Sequence, residues 1–452
     1  MMSNREGAAM QRINRRGVLK LSGAGALAAA TGGLAGILAS GRAPAFAQGT
    51  TLHWLKFVDF VPVSDQLLKG KLKEDCQKAL GITLEVETIN GDGIQARITS
   101  AIQAKTGPDI LMAVSNWAQL YADSLVDVSD LAEARGKAEG GYFETARAVA
   151  NDGKRWIAMP FTILGVLYAC RTSWFAEEGV TPDKFPATWE ELRAVGKKMK
   201  AKGRPLGQTL AHAFGDAPAG WYPYLWSWGG KEVEADGKTV VLNSKETIES
   251  VKFAAGMWKD AFDEGAMSWD DAGNNRAYLS NSISCTSNGA SIYLLARSKP
   301  NDYQTETGKP LKDDTFHAPL PKGPAGQFSY HVPFSNLVPS YTPNRKAALD
   351  FLKWFHSKDV YEQWFSSQQG FSVGSTKAWE DDPLWKIDPI MAPFRTAAAS
   401  GRFAGYAGPA GRAAAETISK FIIVDMYAKA VQGASAEDAV KWAHSELLKI
   451  YA

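Results

Sequence analysis

Residue types capable of a reaction are present in this chain, but their spacing does not suit one. Gly370-Phe371-Ser372-Val373-Gly374 matches the G-x-S-x-G nucleophile pattern. That chemistry needs a strand before the serine, a helix after it, and a later Asp and His. Here a helix-like segment precedes, a polar, proline-containing stretch follows, and the later histidine, His444, sits in the final helix. The acidic pairs Asp270-Asp271, Asp313-Asp314 and Asp381-Asp382 are sequence neighbours. They read as solvated turns rather than as two carboxylates flanking a glycosidic bond. The six histidines lack i, i+4 spacing, and no Walker-type loop occurs, so no metal, phosphate site or cofactor is expected. Cys76, Cys170 and Cys285 are far apart and form no C-x-x-C pattern; they read as buried thiols with one bridge possible at most.

Binding chemistry is better supplied. A hydroxyl-rich ligand needs carboxylates and amides around its edge and aromatic rings on its faces. Asp59 either accepts two hydroxyls or caps the helix that follows it. Asn116 and Trp117 directly follow an apolar strand-like run. Trp269, Asp270, Asn274 and Asn275 form a polar loop before a strand at Ile283 to Thr286, and Asn288-Gly289 follows that strand. A buried Asn offers both donors and an acceptor, which suits a hydroxyl-bearing ligand. Arg412 either grips an acidic group in a bidentate contact or forms a salt bridge at a helix start.

The elements that must position these groups follow from periodicity. Thr51 to Leu55 reads as a strand, Val63 to Leu80 as one amphipathic helix, Ile82 to Ile89 as an alternating strand, and Ile94 to Ala104 as a helix. Asp109 to Val114 is a short apolar run of the kind buried in parallel sheets. The alternation predicts an α/β fold in which ligands bind beyond the strand C-termini. There lie the loops Lys56 to Pro62 and Ser115 to Trp117. Further on, Thr188 and Glu191 sit at capping-box spacing, as do Ser435 and Asp438. Helices are expected at Ile248 to Phe262, Arg345 to Phe355, Tyr361 to Ser366, Ala413 to Val431 and Ser435 to Ile450.

The first residues predict export. Five positive charges up to Lys20 precede an uncharged Ala/Gly/Leu run from Leu21 to Ala39 and then Ala45-Phe46-Ala47, the order of a cleavable signal. Arg15-Arg16 resembles a twin-arginine signal, with Val18 where such signals usually carry Phe. Cleavage between Ala47 and Gln48 leaves 405 residues with 44 basic and 47 acidic side chains, a net charge of −3. That balance asks for no nucleic acid, and the length predicts two lobes.

Four stretches then carry a resemblance: Ala101 to Ile110, Pro186 to Leu192, Asn288-Gly289, and Thr342 to Ala348. With these in order, the chain resembles family 1 extracellular solute-binding proteins, the group that includes maltose-binding proteins. The resemblance implies a two-lobed periplasmic-binding-protein fold of type II, with the ligand cleft between lobes joined by hinge crossings. By that analogy residues 1–47 are the signal, 48–163 and 318–345 form lobe 1, and 164–317 and 346–452 form lobe 2. Crossings are then expected near Phe161 to Leu164, Ala318 to Leu320 and Arg345. The family's ligand loops add Trp117, Trp221-Tyr222 and Tyr406 to the candidates. The implied role is a monomeric, non-enzymatic periplasmic protein that delivers a sugar or polyol to an ABC importer permease. Rival readings are the same fold holding an organic anion or polyamine, and an exported glycoside hydrolase or esterase.

Overall fold

Strands and helices alternate from the start of the residues that the computed structural model describes, 49–452. The expected leader, its Arg15-Arg16 pair and its cleavage site lie outside them. The strands are β1 Thr51–Phe57, β2 Thr83–Ile89, β3 Ile110–Val114, β4 Met159–Leu164, β5 Leu167–Arg171 and β6 Leu206–Gly207, then β7 Cys285–Asn288, β8 Thr315–Ala318, β9 Ser329–Tyr330, β10 Val332–Leu337 and β11 Gly401–Arg402. The first helices are α1 Pro62–Lys69, α2 Lys71–Leu80, α3 Gly91–Ala104, α4 Ser129–Ala138 and α5 Glu144–Ala150.

One sheet has the order β2-β1-β3-β10-β4. β1 lies parallel to both β2 and β3, in register from Thr51 opposite Thr83 to Phe57 opposite Ile89. The run of apolar residues expected at 109–114 is β3, and all five of its residues are buried. β10 returns from far along the chain and runs antiparallel to β3 and β4. The helix expected as one piece over 63–80 breaks at Gly70, where the Gly70 N–H bonds to the Gln66 carbonyl at 2.9 Å. Glycine tolerates the non-helical backbone there at little steric cost.

The second sheet has the order β6-β7-β5-β8. Its helices include α6 Thr172–Ala176, α7 Trp189–Ala201, α8 Asp216–Ser227, α9 Lys245–Ala261, α10 Gly273–Leu279 and α11 Ser291–Ser298. The Thr188–Glu191 capping box is present in both directions, with 3.2 Å bonds. The remaining helices are α12 Arg345–Phe355, α13 Lys358–Ser367, α14 Arg412–Ser419, α15 Ile422–Val431 and α16 Ala436–Ile450. Ser435 caps α16 through the Asp438 N–H. The helix expected over 413–431 is two, because Phe421 takes a left-handed conformation at φ 54°.

Packing alters one expectation about the lobes. Residues from 346 onward were assigned to the second lobe, yet α12 and α13 pack beneath the first sheet. The Phe351 and Phe355 rings lie 5.7 and 5.5 Å from Trp54, and the Tyr361 hydroxyl donates to the Phe161 carbonyl. The final passage to the second sheet therefore falls well after Arg345. Trp379 still packs on Phe365, whereas Asp388 accepts from Tyr293 and Arg297, and Phe394 lies 4.7 Å from His317 on β8. The driving force is apolar area: α12 and α13 bring Phe351, Phe355, Trp364 and Phe365, all nearly inaccessible to solvent, onto a sheet face that would otherwise be wet.

Candidate functional site

Between the two sheets lies a narrow space of about 40 Å³, room for about three waters. The first sheet's side contributes the rings of Phe57, Phe60 and Phe334; the second contributes Phe214, Asp216 and Asn288. Leu164 and Val166, on the short passage from β4 to β5, close one end. That volume is smaller than a sugar ring. A larger hollow of about 660 Å³ lies elsewhere, among Leu131, Arg135, His356 and Trp379 on the outer side of the first sheet.

The polar chemistry of this space is one-sided. Asp271 accepts three backbone N–H bonds, from Phe214 at 2.7 Å, Gly215 at 2.9 Å and Asp216 at 2.7 Å. It thereby occupies the N-terminus of α8, where free amide donors and the helix dipole favour a negative charge. Asp216, the first residue of α8, is differently placed: its Oδ2 is buried without a hydrogen-bond partner. Burial and the neighbouring Asp271 push its carboxyl well above the ordinary range. Burial also raises Asp271, against the lowering pull of its amide bonds. Beside them, Asn288 donates to Asn275 Oδ1 at 2.8 Å and accepts from Ser291 Oγ at 3.0 Å, and Asn275 Nδ2 donates to that same hydroxyl.

The candidates read from sequence divide into three groups. Asn288 lines the space, and Asn274 sits behind it, donating to the Ser287 carbonyl and lowering the Asp216 carboxyl. Asn116 and Trp117 reach across from β3: Asn116 donates to the Ala410 carbonyl and leaves Oδ1 unpartnered, while Trp117 packs on Phe214 at 6.4 Å. The others are engaged by partners within the chain. Asp59 accepts from the Val61 N–H, Ser64 Oγ and Gln368 Nε2, so it is the turn carboxylate before α1. Trp221 faces away into the second core, stacked on Tyr427 at 4.9 Å with its N–H on the Thr209 carbonyl. Trp269 backs the close approach of Gly207 and Gly273. Tyr406 is covered by the Arg402 guanidinium at 3.9 Å. Arg412 is exposed and donates to the Leu120 carbonyl, and no salt bridge at the helix start forms among the described residues.

Tyr222 belongs to a second buried polar cluster. It packs on Tyr330, whose hydroxyl bonds to Ser115 Oγ at the end of β3. Glu232 beside it is fully buried, accepts from the Gly405 N–H at 2.6 Å, and is pushed up to about 8 by burial.

Asp216, Phe214 and Asp271 were missed. The helix start Gly215-Asp216 is a weaker local signal than the tryptophan-rich stretch one turn later. Asp271 was read as a solvated turn, whereas it is buried against three amides. The Ser372 hydroxyl of the G-x-S-x-G match donates to Gln368 Oε1, and His444 Nδ1 accepts from the Asn243 N–H. Among the described residues no His, Cys, Asp or Glu group is arranged to hold a metal.

Comparison with known proteins agrees with this architecture. The family described as bacterial extracellular solute-binding protein matches residues 71–393. A binding protein of Brucella abortus (strain 2308) is 24% identical over 344 residues, 74% of this chain and 80% of its own length. Maltose-bound MalE3 of T. maritima superposes with a TM-score of 0.73 at 20% identity, over 88% of this chain and 99% of its own. A ribitol-bound ABC transporter solute-binding protein of Agrobacterium radiobacter K84 gives 0.71 at 20% identity, over 89% and 99%. An α-D-tagatose-bound one from Thermotoga lettingae TMO gives 0.72 at 20%, over 89% and 100%.

Proposed function

The chain belongs to the bacterial extracellular solute-binding protein family, and from that premise we propose that it captures a sugar or polyol between its two sheets and delivers it to the permease of an ABC importer. The observation that carries this reading is Asp216, whose buried Oδ2 has no donor while phenylalanine rings cover the opposite wall. A hydroxyl-bearing ligand supplies that donor and offers C–H faces to the rings. The likeness to folds that hold maltose, ribitol and α-D-tagatose supports the same ligand class.

In this reading the sheets are the cores of two lobes. The first takes residues 50–163 and 332–376, the second most of the remainder, and Gly165 with Val166 forms one hinge strand. Opening admits the solute; closure brings Asn116 and Trp117 against Ala410 and Phe214. Work of this kind needs no reaction and no cofactor, because hinge bending alone encloses the ligand and reshapes the outer surface. The protein acts outside the cytoplasmic membrane as a monomer, and no helix of the described residues is long and apolar enough to cross a membrane.

A second reading, an organic cation such as a polyamine, is favoured by one feature: Asp216 and Asp271 stand together with no cation bonded to either. An anionic cargo has no such support, since Arg412 is bonded elsewhere. A thermal-shift and calorimetric screen with maltose, ribitol, tagatose and putrescine decides. Stabilisation by a sugar or polyol is expected, since a ligand that binds only the folded state raises the unfolding midpoint. Stabilisation by putrescine alone transfers the site to the cation reading, and appearance of a converted product removes the transport reading.

A further inference from the structure

β5 and β7 are adjacent antiparallel strands inside the second sheet, and their register sets Cys170 directly opposite Cys285. Such a pair spans about 4.5–5.5 Å between Cα atoms, within the window of about 4.4–6.8 Å that a disulfide requires. Both side chains are fully buried, and their sulfurs lie 2.7 Å apart. Unbonded heavy atoms rest about 3.5–4.0 Å apart, so the two Cβ vectors already converge on one another. Cys76, the third thiol, is on α2 beneath the first sheet.

We propose that Cys170 and Cys285 are joined by a disulfide in the exported protein. The inference is independent of the ligand reading; it rests on strand register and on the family's extracellular setting, where disulfides persist. The bond forms by exchange with a disulfide-bearing oxidant, either a protein dithiol oxidase or an oxidised small thiol. One cysteine, as thiolate, attacks a sulfur of the oxidant and gives a mixed disulfide. The second thiolate then displaces the oxidant's sulfur. Two protons and two electrons leave the pair, and the oxidant's disulfide becomes two thiols. Burial raises both thiols, which disfavours the reactive thiolate once the sheet is complete. Exchange therefore takes place before the sheet closes or through its local opening, and afterwards the bond is out of reach. Three positions further along the same ladder, Leu167 pairs with Asn288, so the bond clamps the strand ends that carry the first hinge and the cleft asparagine.

The test counts thiols in the whole protein, produced with its own leader and recovered from the exported fraction. Alkylation in denaturant without reductant should add one label, on Cys76, and reductant should raise this to all three cysteines. Peptide mapping should link the segments that hold Cys170 and Cys285. Cys76→Ser should take no label until reductant is added. Three labels on the unreduced wild-type protein, or a bridge that includes Cys76, overturns the proposal.

Discussion

The two walls of the interlobe space carry acids of opposite character. On the first wall, Lys56 is fully buried, its ammonium bonds to Asp65 and stands 3.8 Å from Asp59, and Asp59 takes three further donors. On the second, Asp216 has an oxygen with no donor; apart from the space, in the cluster around Tyr222, Glu232 is fully buried with Oε1 likewise unpartnered. An acid whose acceptors are filled by its own chain contributes to folding; one with open acceptors is costly to fold around and available to a ligand. Binding polarity thus belongs to the second wall, and rigidity to the first.

The sharpest way to break this contrast is pH. Glu232 has its ordinary value of 4.5 when unfolded and about 8 when folded. Between those values the folded chain holds a proton that the unfolded chain has released, so stability falls as pH rises through that window. Glu232→Gln should lose this group's share of the slope and be more stable than wild type above pH 8 by up to about 5 kcal/mol, measured by denaturant unfolding across pH. His317 and His331, lowered by burial to about 4, act oppositely. Stability rises with pH between about 4 and their ordinary 6.5, and that acid limb should survive in the variant. An unchanged alkaline slope in Glu232→Gln removes the contrast between filled and open buried acids.

Next in size is Asp59→Ala, which strands Gln368 and Ser64 and strips Lys56 of a neighbour; about 3 kcal/mol of stability should be lost. The affinity of the folded protein, by calorimetry, should stay near wild type. Asp216→Asn inverts that pattern. Affinity for whichever sugar or polyol the screen finds should fall by about 10–100-fold, or about 1.5–3 kcal/mol, while the unfolding midpoint stays level or rises as a buried unsatisfied acid is removed. Equal affinity in Asp216→Asn and wild type would sink the assignment of the second wall. The smallest effect is expected for Arg412→Ala. An exposed bond to one carbonyl contributes about 0.5 kcal/mol to stability, and affinity for a neutral ligand should not change.

Much of the architecture was legible in the residues. The apolar run at 109–114 is a buried strand because parallel strands are covered on both faces, and Thr188 with Glu191 form the cap their spacing demands. The site was less legible. Trp221 and Asp216 share one helix, and the one that meets the crevice depends on how that helix is rolled. Tyr427 and Trp258, from later in the chain, fix the roll by packing on Trp221. Asp271 was misjudged because its three partners are amides 55 to 57 residues away, and no local pattern marks them. Asn288 lines the space because it directly ends a strand in a fold whose strand ends face the crevice.

What the sequence determined by itself is therefore local: periodicity sets strand or helix, capping residues mark several helix starts, and strand order aims certain loops at the gap. Which acid in those loops remains open to a ligand is a tertiary decision. Gln368 satisfies Asp59 across 309 residues, and no comparable donor reaches Asp216 Oδ2. Hydrogen-bond satisfaction is counted only after distant segments have met, and so the difference between a structural carboxylate and a binding one arises in the folded chain.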